Sequence, residues 1–146
     1  MKTKLKSWQK AGLSPTQRSL AWLRENGYEF MEKTEHIIPR VHQRRDLFEF
    51  IDILAVNHVH LLAIQCCAGD GGDHADRVHR IMRLPVARAL AYYMDIQVWS
   101  FAIRGERGAP KMWTRRATPL TAKLLPKDSL LREKIEQGTW DVVNVA

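Results

Sequence analysis

The sequence predicts an α/β domain with a mixed central β-sheet flanked by helices, followed by a C-terminal tail carrying a short amphipathic helix. Three observations predict it. Two apolar runs, 48–56 and 60–67, are broken at Asn57-His58-Val59; helix signals stand before and after them; and two further β-rich stretches follow. The 146 residues suit one compact domain with an ordinary core, over 1–118, and a tail over 119–146.

Residues 1–12 are Lys-rich and read as ragged or as backbone-contacting. Ser14-Pro15-Thr16-Gln17 then combines an N-cap serine, a proline at the first helical position and a glutamine placed for a capping box. The helix turns Leu20, Trp22 and Leu23 toward a core and ends at Asn26-Gly27, where glycine can take the left-handed conformation. Tyr28 to Glu35 alternates as a first strand. His36 to Asp46, with Pro39 and the cluster Arg40, His42, Arg44 and Arg45, reads as a basic connection.

The two apolar runs are short and rich in β-branched or aromatic residues, so they read as a hairpin of buried strands. A turn centred between His58 and Val59 sets Asp52 opposite Gln65, and opposed side chains share a face with Cβ atoms roughly 4.5 to 5.5 Å apart. Cys67, two residues on, joins that face. A carboxylate in mid-strand is costly to bury, so Asp52 should be partnered, protonated or placed to hold a cation.

Gly69-Asp70-Gly71-Gly72 breaks the second strand, and Asp73 can cap a helix through Ala75, Val78, His79 and Met82. Pro85 ends that helix or begins the next, and Val86 to Met94 is helical in composition. Strands are expected over Ile96 to Ile103 and Lys111 to Ala117, joined through Gly105-Glu106-Arg107-Gly108, with Trp99 and Trp113 on this pair. In the tail, Pro126-Lys127-Asp128-Ser129 precedes Leu130, Leu131 and Ile135, and Gly138 follows.

Lys and Arg outnumber Asp and Glu by 23 to 16, giving a formal charge of +7 and a pI near 9.7. That balance favours a polyanionic partner, of which nucleic acid is the commonest, and five tryptophans add to it. The two cysteines are adjacent, so a framework of extracellular disulfides is excluded and free thiols in a reducing, intracellular setting are expected. No apolar stretch approaches the roughly 20 residues of a membrane span. Met1 to Lys6 has no apolar core behind it, so no secretory leader is expected.

The opening helix closing at Gly27-Tyr28, the run Arg44-Arg45-Asp46-Leu47-Phe48-Glu49-Phe50-Ile51-Asp52-Ile53-Leu54-Ala55, and Leu62-Ala63-Ile64-Gln65-Cys66-Cys67 resemble the PD-(D/E)XK nuclease superfamily. The similarity, nearest to small phage-type and Holliday junction resolvase-like members, covers roughly 14–117. It implies a restriction-endonuclease-like core and a metal-dependent DNA endonuclease. Asp52 takes the aspartate position, Gln65 the Glu/Gln position and Cys67 the place of the lysine. Mg²⁺ or Mn²⁺ would be held by Asp52, Gln65 and the carbonyl of Cys66, since such ions want hard oxygen ligands. A divalent ion there activates water and neutralises charge on the scissile phosphate.

The chain departs from the pattern at Cys67, where the lysine is missing, and at Gln65, which brings no charge. Gln17 stands where a glutamate is common on the first helix. Glu32 or Glu35 would have to supply a further carboxylate, and Arg77 or Arg80 the missing cation. Arg40, Arg44, Arg45, Arg77 and Arg80 are the candidates for contact with the DNA backbone.

Plainer readings stand beside these. Asp52 can pair with Arg45, Gln65 can be a satisfied buried amide, Cys67 a small buried hydrophobe, and Trp99 and Trp113 core aromatics. A zinc set of Cys66, Cys67, His74 and His79 lacks the usual cysteine spacing. The alternative function is a DNA-binding or assembly protein that keeps the nuclease fold with a degenerate site. The apolar residues of the tail offer a surface for a homodimer.

Overall fold

The computed structural model describes residues 4–69 and 72–138. Asp70 and Gly71 of the expected strand break, Met1 to Thr3 and the last eight residues lie outside them.

A short 3-10 turn at Ser7–Gln9 precedes α1, Pro15–Glu25. Its start is the expected capping box: the Gln17 N–H donates to Ser14 Oγ at 3.2 Å, and the Ser14 N–H donates to Gln17 Oε1 at 2.8 Å. At the far end Gly27 adopts φ +84° and the Tyr28 N–H returns to the Leu23 carbonyl.

Strand β1 spans Phe30–Lys33, shorter than expected, and pairs antiparallel with β4, Ile53–Val56. The basic segment between them is not a plain connection. His36–Ile38 and Gln43–Arg45 form a separate two-stranded hairpin, β2 and β3, and His42 at φ +49° helps turn the chain at its tip.

The first half of the expected strand 48–56 is likewise not a strand. Phe48 and Glu49 both take positive φ, +50° and +74°, in a tight turn whose ends are tied by the Leu47 N–H to Ile51 O and the Ile51 N–H to Leu47 O. Two successive non-glycine residues there cost about 1 kcal/mol or more each. Burial of Phe50 and Ile51, both fully enclosed, opposes that cost.

Strand β5, Leu61–Ala68, is buried on both faces and pairs antiparallel with β4 in the expected register, Ile53 opposite Ile64. Asn57 fixes it: Oδ1 accepts from the N–H groups of Val59 and His60, both at 2.8 Å, and the Asn57 N–H donates to the His60 carbonyl. Helices α2, Gly72–Met82, and α3, Pro85–Leu90, cross to β6, Asp95–Arg104, which runs parallel to β5. Asp73 lies within the first turn of α2 rather than ahead of it. Strand β7, Met112–Pro119, returns antiparallel to β6. The sheet is therefore mixed and five-stranded, in the order β1-β4-β5-β6-β7.

Helix α1 and the 3-10 turn cover one face over Leu23, Ile53, Ile64, Trp99 and Phe101. The helices after β5 cover the other, over Phe50, Ala63, Cys67, Ile81 and Ile96. Leu120, Leu124 and Leu125, around the unexpected short helix α4 at Thr121–Leu124, are part of this second core. The expected helix of the tail, α5, is Leu130–Glu136 with Ser129 as N-cap; it lays Leu131 and Ile135 on the core and leaves Leu130 exposed.

Of the five tryptophans counted as a nucleic-acid signal, Trp8, Trp22, Trp99 and Trp113 serve packing, and Trp140 lies outside the described residues. Trp22 meets Trp99 edge-on, Arg18 lies 3.5 Å over Trp113, and Arg115 lies over Trp22 and Trp99. Arg18 is enclosed, and its Nη1 donates to the carbonyls of Trp8 and Lys10, both at 2.7 Å. Among the described residues no helix is long and apolar enough to cross a membrane.

Because Asn57 alone supplies the side-chain acceptor of the β4–β5 turn, Asn57→Ala should lower unfolding free energy by about 1 to 2 kcal/mol in urea denaturation. A loss indistinguishable from zero would show that strand packing sets the register unaided.

Candidate active-site cleft

Strand β4 leaves the ladder at Asp52, whose N–H still donates to the Ile64 carbonyl at 2.9 Å. Strand β5 continues past it, so the next inward-facing N–H, that of Cys66, has no backbone partner on that edge. The Asp52 side chain takes the vacant place. Its Oδ2 accepts from the Cys66 N–H at 2.7 Å and from Gln65 Nε2 at 2.5 Å. Asp52 is 8 % exposed and Gln65 2 %. The two side chains expected to face each other do so.

The other end of the Gln65 amide, Oε1, is buried and has no hydrogen-bond partner. Strand alternation also turns the Cys66 carbonyl to the same edge as its N–H. These atoms border a cleft of about 480 Å³ lined by Ser14, Pro15, Thr16, Lys33, Glu35, Arg44, Asp46, Asp52, Gln65, Cys66 and Arg77. It lies alongside the second half of β5, at the edge that β4 has left, with the start of α1 and Arg77 of α2 in its walls.

Asp46 is the carboxyl that the sequence reading did not single out. It ends the β2–β3 hairpin, and its side chain hydrogen-bonds that of Asp52. Burial pushes the Asp52 carboxyl up from 3.8 to about 7; the hydrogen bond and charge of Asp46 push the same way, while the Cys66 and Gln65 donors oppose them.

Glu35 reaches the cleft, as one of the two acids expected from the first strand; Glu32 does not line it. Glu35 pairs with Lys33 and Arg44, each at 3.6 Å. Lys33 thus brings an ammonium to the rim, a second residue missed from sequence. Arg77, paired with Asp73 at 3.6 Å, lines the cleft too. Arg45 and Arg80 line instead an adjoining groove of about 430 Å³ with Ile38, Gln43 and Glu49, and Arg44 and Asp46 border both. Arg40 sits exposed at the hairpin tip.

Cys67 does not join the cleft. It is buried against the second core, its Sγ 3.7 Å from the Trp99 carbonyl, and burial pushes its thiol up to about 11. The face was read correctly, but the side chain lies under α2. The Cys66 thiol points the opposite way, to Ser19 Oγ at 3.3 Å, and burial pushes it up to about 12. Gln17 is spent on capping α1. His74 spans Ser100 and Thr118, both at 2.7 Å, and His79 is exposed, so the four-residue zinc set does not assemble.

Among the described residues no three His, Cys, Asp or Glu side chains converge as a metal cluster. The donors present are two carboxyls, the orphaned Gln65 oxygen and the Cys66 carbonyl. All are hard oxygens, and with water they suit Mg²⁺ or Mn²⁺ rather than a softer ion. The fold and cleft define a mixed α/β protein in which a buried acid, Asp52, meets a half-buried one, Asp46, among basic side chains. Comparison of the chain with family models, with curated proteins and with solved structures finds no match.

The acid pair has a signature in stability. A carboxyl whose folded value is raised keeps its proton where the unfolded chain has lost it, so its contribution declines as pH climbs from about 4 to about 7 and is level above. Burial of His74 lowers its value and acts in the opposite sense near neutrality. The comparison is therefore wild type against Asp52→Asn in urea at pH 4.5, 6 and 7.5. The wild type should lose ground relative to the variant as pH rises; parallel curves would mean that Asp52 titrates normally.

Proposed function

We propose that the protein is a metal-dependent DNA endonuclease of the PD-(D/E)XK superfamily, hydrolysing phosphodiester bonds in the cleft at Asp52. The observation that carries the reading is the buried Asp52, with the half-buried Asp46 against it, beside an amide oxygen with no partner. A buried carboxyl and an orphaned acceptor are expensive to enclose, and a hard cation would satisfy both. The mixed sheet, with an acid and an amide opposed on adjacent antiparallel strands, supports the restriction-endonuclease-like assignment.

Asp46, Asp52, Gln65 Oε1 and the Cys66 carbonyl would hold the ion. Bound there, Mg²⁺ or Mn²⁺ supplies a Lewis acid that lowers the pKa of water and offsets charge on the phosphate. The remaining work falls to the chain. Gln65 Nε2 and the Cys66 N–H fix the orientation of the Asp52 carboxylate. Lys33 takes the role of the lysine missing at Cys67, placing a cation at the rim from β1 rather than from β5. Arg44 and Arg77 draw the phosphate in, and Arg45 and Arg80 extend the contact along the neighbouring groove.

A degenerate, non-cleaving DNA-binding protein is the second reading, favoured by the small number of acids at the site. One experiment separates them. Purified protein is incubated with branched, single-stranded and linear duplex DNA, in Mn²⁺, Mg²⁺ or EDTA, beside Asp52→Ala. The nuclease reading predicts cleavage with either ion, none in EDTA, and at least a hundredfold loss in the variant. Salt-sensitive binding with no cutting would establish the second reading, and cutting by Asp52→Ala would remove this cleft from consideration.

Cation binding must expel the proton that Asp52 holds, so it should weaken as pH falls below about 7. Mg²⁺ in thermal denaturation should therefore stabilise the protein more at pH 8 than at pH 6, and Asp52→Asn should abolish the difference. Equal shifts at both values would place the ion elsewhere.

A further inference from the structure

We propose that Phe48 is a stacking platform for an unpaired base, so that the cleft takes its scissile phosphate from a strand whose bases are splayed. The inference rests on the nuclease reading and names the substrate form that this site selects.

Phe48 is 49 % exposed, although Leu47 on one side packs against the core and Phe50 on the other is fully enclosed. The turn thus has two apolar anchors and one aromatic ring set outward. Its backbone is held where a bulky residue is least at ease: φ is +50° at Phe48 and +74° at Glu49. Glycine or asparagine would occupy such positions with less strain, so local stability does not account for a phenylalanine. The turn is nevertheless pinned. The Glu49 N–H donates to the Asp46 carbonyl at 3.1 Å, the Phe50 N–H to the Leu47 carbonyl at 3.3 Å, and Arg80 Nη2 to the Glu49 carbonyl at 3.0 Å.

Position supplies the ligand class. Phe48 stands two residues after Asp46, which with Arg44 borders both the acid cleft and the basic groove, and Glu49 next to it lines that groove with Arg44, Arg45 and Arg80. A strand whose phosphates follow these arginines brings its bases past the turn apex. In a continuous duplex the bases are stacked on one another and offer no face to the ring; in single strands, flaps and junctions they do.

The test measures binding in EDTA, where no cleavage occurs, by fluorescence anisotropy with a single-stranded oligonucleotide and a duplex of equal length. Wild type, Phe48→Asn and Phe48→Trp are compared, with thermal denaturation of each. Asparagine suits the left-handed backbone, so Phe48→Asn should melt no lower than wild type yet bind the single strand on the order of tenfold more weakly, with duplex affinity changed less than twofold. Phe48→Trp should keep or strengthen single-strand binding. Equal loss on both DNAs, or no loss, overturns the stacking role while leaving the nuclease reading intact. A marked fall in melting temperature for Phe48→Asn assigns the ring a structural role and overturns it as well. No binding of either DNA by wild type overturns the inference together with the nuclease reading.

Discussion

The structure turns on the register of a single hairpin. Side chains alternate along a strand, so a slip of one residue between β4 and β5 would send Asp52 and Gln65 to opposite faces of the sheet. Asn57 prevents the slip by capping two N–H groups of the turn, and the apolar pairs that follow, Val56 with Leu61 and Ala55 with Leu62, hold it. At the far end the constraint becomes chemical. Strand β4 stops one residue before β5 would need it, and the Asp52 carboxylate accepts the N–H left over at Cys66. The carboxylate is tolerated under the sheet edge because it completes a ladder.

The two faces of the sheet solve burial differently, and the cleft opens at their boundary. The α1 face is aromatic and cationic, with Arg18 and Arg115 laid on indole rings and neither relying on a carboxylate. Planar guanidinium groups can be enclosed this way because stacking and carbonyl acceptors replace water. The opposite face is aliphatic, built from Ile51, Ile81, Ile96 and Leu120 under α2 to α4. Among the described residues Asp52 is the one buried acid, and Asp46 and Glu35 join it beside the second half of β5, where α1 begins and the β2–β3 hairpin folds over. Ion pairs of Glu35 with Lys33 and Arg44 close that rim.

Much of this was legible in the sequence. Ser14-Pro15-Thr16-Gln17 marked the start of α1, Asn57 to Val59 centred the hairpin, and the pairing of Asp52 with Gln65 followed. Other parts were hidden for physical reasons. The alternation in Phe48-Glu49-Phe50 mimics a strand, yet positive φ at two residues makes it a turn, a tertiary outcome that local pattern does not carry. Asp46 and Lys33 are remote from Gln65 in sequence and meet it only because the 36–45 hairpin and the β1–β4 pairing bring them there. Cys67 shows the converse limit. Period two assigns a face, not a depth, and the residue on the right face lies beneath a helix. Leu120, Leu124 and Leu125 read as tail because composition changes at Pro119, although they pack into the core.

The missing lysine at Cys67 is a weaker objection to the proposed chemistry than it first looks. A catalytic cation acts through its position relative to the phosphate, not through the strand that carries it. Position 67 lies under α2, where an ammonium would be desolvated without a partner, whereas Lys33 reaches the cleft rim with its head paired and hydrated. Cys67 itself belongs to the buried cluster that holds Ile81 and Val98. Burial, helped by the neighbouring Asp46, holds the Asp52 carboxyl up at about 7, and a cation bound there would compete with its proton. On the proposed reading such a cleft would be closed to metal in acid and would open near neutrality, so the proton that Asp52 holds would set the conditions under which the site is filled.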